Sequence, residues 1–214
     1  MQIRNLLIRK MNRFIHHIFV LLAAIAWGGT LHAQEDMKIL VGADFDTYFD
    51  NREYSGSEIG ESGTLFSSRL TPKVGVEWNE KDRLVFGMDM WSHFGDDTRV
   101  FAKARPQIYY RFDSGKVRAY AGIFSREEMI GDYSEAFISD SVRFYENRVQ
   151  GFMGQYRGDR GFVELSLDWC GMYSQASREK FRVLSGGRYY FDNYHRRFYG
   201  GYALQVFHYA GSET

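Results

Sequence analysis

The chain has 214 residues, 27 basic and 27 acidic, with a formal net charge of zero and a mean hydropathy of −0.41. That hydropathy excludes a bundle of membrane-spanning helices, though not a barrel, in which only alternate strand residues meet lipid. Aromatics at 17% and 22 glycines against 2 prolines favour long strands joined by tight turns, in a length that suits one domain.

At the N-terminus Arg4, Arg9, Lys10 and Arg13 precede an apolar segment from Ile18 to Trp27. Leu31-His32-Ala33 before Gln34 ends in the small residue that a signal peptidase accepts. Residues 1–33 therefore read as a secretion signal removed on export, since the apolar core is shorter than the ~20 residues of a spanning helix. Without it, 23 basic residues face 27 acidic ones, a formal net of −4, which argues against a nucleic-acid partner. The single cysteine, Cys170, has no disulfide partner in the chain and reads as a small packed residue.

Residues 34–214 read as one all-β domain whose strands alternate apolar and polar residues. The first, about 38–50, sets Ile39, Val41, Phe45 and Phe49 on one face and Asp44 and Asp46 on the other. After a polar loop at 51–63, a hairpin from Leu70 to Phe94 turns at Asn79 to Asp82, with Leu70, Val74, Val76, Phe86 and Met88 on one side and Lys73, Glu77 and Asp89 on the other. A second polar loop, 95–103, leads to strands at about 105–112 and 117–123. These turn at Asp113 to Lys116 and carry Arg105, Arg111 and Arg118 on their polar side.

A long connection, about 125–148, follows. Strands at about 149–157 and 162–173 turn at Gly158 to Gly161 and carry Glu164 and Asp168. After a loop around 174–180, strand eight at 181–191 carries Arg182 and Arg188, and a turn at 192–196 leads to strand nine, ending near Ala210. Alternation is weakest in strand six. Connections are long after odd strands and short after even ones, as outer-membrane barrels have external loops and periplasmic turns.

An apolar face directed outward and a charged one inward suits an antiparallel up-and-down transmembrane barrel. A soluble secreted sandwich would bury the same apolar faces against each other, and periodicity alone does not separate the two. With the signal, the loop asymmetry and the aromatics near strand ends (Phe49, Trp78, Trp91, Tyr110, Trp169, Phe191), the chain resembles the porin-like outer-membrane β-barrel proteins of Gram-negative bacteria. The Ala-Gln junction after the signal is also similar to those of Bacteroidota envelope proteins. Such barrels have even strand numbers and commonly close on an aromatic residue, whereas nine strands and a Gly211-Ser212-Glu213-Thr214 terminus are visible here, so the barrel is expected to be incomplete.

The resemblance implies the bacterial outer membrane as location, membrane lipid as surroundings and passive diffusion of small hydrophilic solutes or ions as function, with no enzyme activity and no cofactor. Asp44, Asp46, Lys73, Glu77, Asp89, Arg105, Arg111, Arg118, Glu164, Asp168, Arg182 and Arg188 are then the lumen-lining charges, and positions such as Asp89 and Ser166 should tolerate a charge; the alternative is that these charges pair and fill a closed lumen, leaving a structural barrel without conductance. The connection at 125–148 is too apolar for a solvated loop, with Met129, Ile130, Phe137, Ile138, Val142, Phe144 and Tyr145 needing cover. It is expected to bend inward as a constriction loop, setting Glu127, Glu128, Asp132, Glu135 and Asp140 against the basic wall of Arg105, Arg111 and Arg118; an external cap is the alternative. Outer-membrane barrels also include phospholipases and proteases. His208 with Ser212, and Asp96 with Asp97, are the residues at strand ends for such chemistry, but no third, orienting group is identifiable. Glu127-Glu128 read as solvated charge, and His93, His195 and His208 lack metal-ligand spacing.

Overall fold

In the computed structural model the described residues are 37–54, 56, 62–95, 101–174, 178–192 and 197–210. The signal segment 1–33 and Asp96, Asp97, His195 and Ser212 lie outside them. Nine strands form one antiparallel sheet in sequential order: β1 (Lys38–Arg52), β2 (Gly63–Trp78), β3 (Asp82–His93), β4 (Lys103–Asp113), β5 (Val117–Ser125), β6 (Arg148–Gly158), β7 (Gly161–Gly171), β8 (Glu179–Tyr190) and β9 (Tyr199–Ala210). This is the up-and-down order of a barrel, open between β1 and β9 among the described pairings. No helix among the described residues is long and apolar enough to cross a membrane.

β2 starts at Gly63, well before Leu70, where regular alternation sets in; the adjacent Leu65 and Phe66, both exposed, break the pattern but not the pairing with β1. Asn79 (φ +54°) and Glu80 (φ +57°) take the left-handed conformations that a tight hairpin turn needs. β8 ends at Tyr190 and β9 begins only at Tyr199, a wider separation than the turn expected at 192–196, of which residues 193–196 lie outside the described residues. At Gly122 (φ +121°) an added Cβ would lie 2.3 Å from the Ile108 carbonyl oxygen, so only glycine fits that rung of the β4–β5 pairing.

One face of the sheet exposes a nearly continuous apolar surface, including Ile39, Phe45, Val74, Phe86, Ile108, Phe152, Leu165 and Leu204. Thr71, Glu77, Asp89, Gln107, Gln155, Glu164 and Asp168 are buried on the other. A polar interior under an apolar exterior inverts a soluble fold and matches a barrel in lipid.

The interior is occupied. The 125–148 connection holds a 3-10 turn at Arg126–Glu128 and a helix α1 (Asp140–Tyr145), each started by a serine: Ser125 Oγ accepts from the Glu127 amide (3.1 Å) and Ser139 Oγ from the Val142 amide (3.4 Å). It lies against the inward face of the sheet. Val85, Tyr109, Tyr120, Phe124, Val149 and Met153 form one core cluster, Tyr133, Ile138 and Leu184 a second, and Met129 packs against both. Asp89 (0% exposed) and Ser166 (1%) are buried under this segment rather than open to a water-filled lumen, the setting in which they were expected to accept a charge.

Candidate functional site

The β2–β3 hairpin aligns residues equidistant from Glu80, so Ser67 in β2 pairs with His93 at the end of β3. Both side chains point inward at the end of the sheet that carries the long connections. Ser67 Oγ lies 2.7 Å from His93 Nδ1 and 2.9 Å from the Tyr145 hydroxyl. With the imidazole protonated at Nε2, Ser67 donates to Nδ1 and Tyr145 donates to Ser67. Ser67 is 1% exposed, with Tyr145 across it.

Tyr145 is held through the end of α1. The buried Arg69 guanidinium donates to the carbonyls of Arg143 (3.5 Å) and Phe144 (3.3 Å), where a cation complements the helix dipole, and Trp91 Nε1 donates to the same Phe144 carbonyl (3.2 Å). Arg69 is itself fixed by Asp46 (2.7 Å) and Glu127. Tyr48 stacks on Phe144 (ring centroids 5.2 Å apart) and meets Tyr145 edge-on (5.6 Å). Beside Tyr48 opens a cleft of about 300 Å³ lined by Phe49, Asp50, Arg52, Glu135, Ser139 and Asp140. Because Phe49 is on the outward face and Asp50 on the inward one, the cleft straddles the rim.

The charges expected to line a water-filled lumen are engaged with one another. Asp44 pairs with Lys73, Glu77 with Arg83 and Lys38, and Arg111 and Arg118 both with Asp113. Asp89 accepts from Thr71 (2.8 Å) and Gln107 (2.9 Å). Glu164 accepts from the amides of Ile130 (2.8 Å) and Gly131 (3.3 Å), the Tyr133 hydroxyl (2.8 Å) and Gln155 Nε2 (2.7 Å). Burial, then the charge and hydrogen bond of Glu164, push the Tyr133 phenol well above its ordinary pKa. Asp168 binds Arg126, Arg182 (3.2 Å) and the Gln150 amide (3.0 Å).

The acids of the connection do not meet the basic wall in the way the sequence suggests. Glu127 pairs with Arg69, Glu128 accepts from Tyr120 (2.6 Å), Asp132 pairs with Arg188, and Glu135 and Asp140 line the rim cleft. Arg105 instead binds Glu146 (2.6 Å), with Lys103 behind (3.5 Å). Burial works against the Glu146 carboxylate, but the Arg105 hydrogen bond and charge outweigh it and hold its pKa below the usual range.

His208 is elsewhere, exposed on the outward face of β9 with its ring stacked on Phe181 (4.4 Å). Among the described residues no carboxylate bonds His93, and no cluster of three or more His, Cys, Asp or Glu could hold a metal.

A family model for Lipid A 3'-O-deacylase-type proteins matches residues 31–213. The chain belongs to this family. No curated protein matches it. The family is of outer-membrane type and names an enzyme activity, a hydrolase, so membership overturns two expectations: the passive porin-like channel for solutes or ions, and the absence of enzyme activity. The porin resemblance rested on barrel architecture, which enzymes and channels share.

Ser67 and Arg69 were missed as candidate site residues because β2 was read from Leu70 onward, and Tyr145 because it was counted only among the residues of the connection that need cover. The turn itself held the signal: Ser67 and His93 each stand thirteen residues from Glu80, and so had to face each other once the hairpin ran that far.

Proposed function

We propose that this chain is an outer-membrane esterase that removes a 3'-O-linked acyl chain from lipid A, with Ser67 as nucleophile and His93 as its base. Family membership supports the substrate class, and the 2.7 Å contact between Ser67 Oγ and His93 Nδ1 carries the assignment of the reacting pair. Residues 1–33 serve as the export signal, and the long-connection end of the sheet faces the lipid A leaflet.

In this mechanism Tyr145 swings aside and admits the ester from the rim cleft. Ser67 Oγ attacks the acyl carbonyl carbon as its proton passes to His93 Nδ1. Once the ester is in place the Tyr145 hydroxyl, which rests 2.9 Å from Ser67 Oγ, closes back and donates to the developing oxyanion. The C–O bond to the sugar breaks, and the sugar oxygen leaves with the proton from His93. Water, deprotonated by His93, then attacks the acyl ester on Ser67; the Oγ–acyl bond breaks, His93 returns the proton to Ser67 Oγ, and the fatty acid is released. Arg52 lines the cleft paired with Asp50 (2.6 Å), and would exchange that partner for a lipid A phosphate.

The test is mass spectrometry of lipid A from outer membranes carrying the full chain. Loss of one acyl chain is expected with the native protein, and Ser67→Ala and His93→Ala should each slow it by at least ~10²-fold. His208→Ala should leave it within about twofold, a change of under half a kcal/mol. Full activity in Ser67→Ala with loss in His208→Ala would move the reacting centre to the outward face.

A further inference from the structure

At the opposite, short-turn end, the outward face of β6 to β9 holds a groove of about 670 Å³, a volume typical of ligand sites. Strand register builds it. One rung runs Tyr156, Val163, Gly187, Tyr202, and the next Gly158, Gly161, Tyr189, Gly200. Gly158, Gly161, Gly187 and Gly200 thus leave backbone bare between Tyr156, Tyr189 and Tyr202, with the Val163 side chain beside it as an aliphatic wall. A Cβ at Gly187 would lie 2.7 Å from the Tyr202 ring, which shows how closely that ring covers the bare backbone.

The walls are exposed, Tyr156 at 50%, Tyr189 at 47% and Tyr202 at 46%. In a barrel, outward tyrosines near strand ends sit at the level of lipid headgroups. At the mouth of the groove is a cation, next to Asp159, whose carboxylate turns to Lys116 (4.0 Å). Arg160, exposed in the turn between β6 and β7, donates from Nη1 to the Tyr189 hydroxyl (3.2 Å), which tethers its guanidinium beside the groove.

An apolar channel facing hydrocarbon, ending at a tethered guanidinium at headgroup depth, fits a ligand with a chain below and a negative charge above. We propose that this groove binds an anionic glycerophospholipid of the periplasmic leaflet, one acyl chain lying between the tyrosines and the phosphate on Arg160. The lipid is a bound companion of the fold and not the substrate of the Ser67–His93 site, which lies at the other end of the strands.

The test uses the full chain, delipidated in detergent and titrated with phosphatidylglycerol or phosphatidylcholine, with retained lipids counted by native mass spectrometry. One phosphatidylglycerol should be held more tightly than any phosphatidylcholine. Arg160→Gln should weaken that retention about fivefold and leave phosphatidylcholine unchanged. Val163→Trp, which fills the groove from a wall, should abolish it; if that variant fails to fold, Arg160→Gln in its exposed turn decides. Equal retention of the two lipids, or no effect of Arg160→Gln, overturns the proposal. So does a dimer of the native protein that Val163→Trp dissociates, since the groove would then be covered by a second copy.

Discussion

Glu164 is the clearest place to perturb the way the connection at 125–148 is held inside the sheet. Its carboxylate is 0% exposed and accepts four hydrogen bonds, two from the Ile130 and Gly131 amides, one from Tyr133 and one from Gln155. In Glu164→Ala all four donors lose their acceptor in a buried setting. At a net of about 1 kcal/mol each the loss is about 4 kcal/mol, more if the charged acceptor is weighted fully. Water entering the vacated space recovers part of it, so about 3 to 5 kcal/mol is expected. Glu164→Gln, which keeps one acceptor oxygen, should lose about half as much. Urea unfolding in detergent, followed by the gel shift between folded and heated forms, gives the stability, and hydrogen exchange at residues 130 and 131 gives the local effect. A loss below about 1 kcal/mol in Glu164→Ala, with exchange at those amides unchanged, would refute the idea that this carboxylate pins the connection.

Leu165→Arg, on the outward face near the middle of β7, should cost roughly 2 to 4 kcal/mol of folding stability in bilayers and much less in aqueous urea-compatible micelles that let the guanidinium reach water. Glu80→Gly relieves a left-handed non-glycine residue in the β2–β3 turn and should stabilise by about 0.5 to 1 kcal/mol, read as a higher urea midpoint. The depressed pKa of Glu146 gives a signed pH dependence. The stability it contributes is full above its ordinary value of 4.5 and is lost as pH falls through the lower native value, so Glu146→Gln should flatten that limb of an acid titration.

The strands were legible because the outward positions of β1, β3, β4 and β7 are apolar with hardly an exception, and lipid contact demands that. β6 was harder, since Gly151 and Gly154 interrupt its pattern. The inward faces told less. A run such as Lys73, Glu77 and Asp89 says that those residues share a face, but not whether water or a packed segment covers it. Here the cover is the segment at 125–148, whose seven large apolar residues signalled a need for burial without naming their partners. Arg69 is the instructive case: it holds Asp46, Glu127 and the end of α1 together from β2, β1 and the connection. Contacts between positions 23 to 75 residues apart leave no local pattern. The proposed Ser67–His93 pair was readable only from the hairpin register, which reading β2 from Leu70 onward cut short.

Covalent trapping tests the reacting pair most directly. A long-chain fluorophosphonate added to the full chain in detergent should phosphonylate Ser67 Oγ with release of fluoride, and peptide mapping should place the adduct on the peptide containing Ser67. His93→Ala should slow the labelling by ~10²-fold or more, since the base that takes the serine proton is gone. An adduct on another residue, or unlabelled Ser67 in protein that still removes an acyl chain from lipid A, would contradict the account.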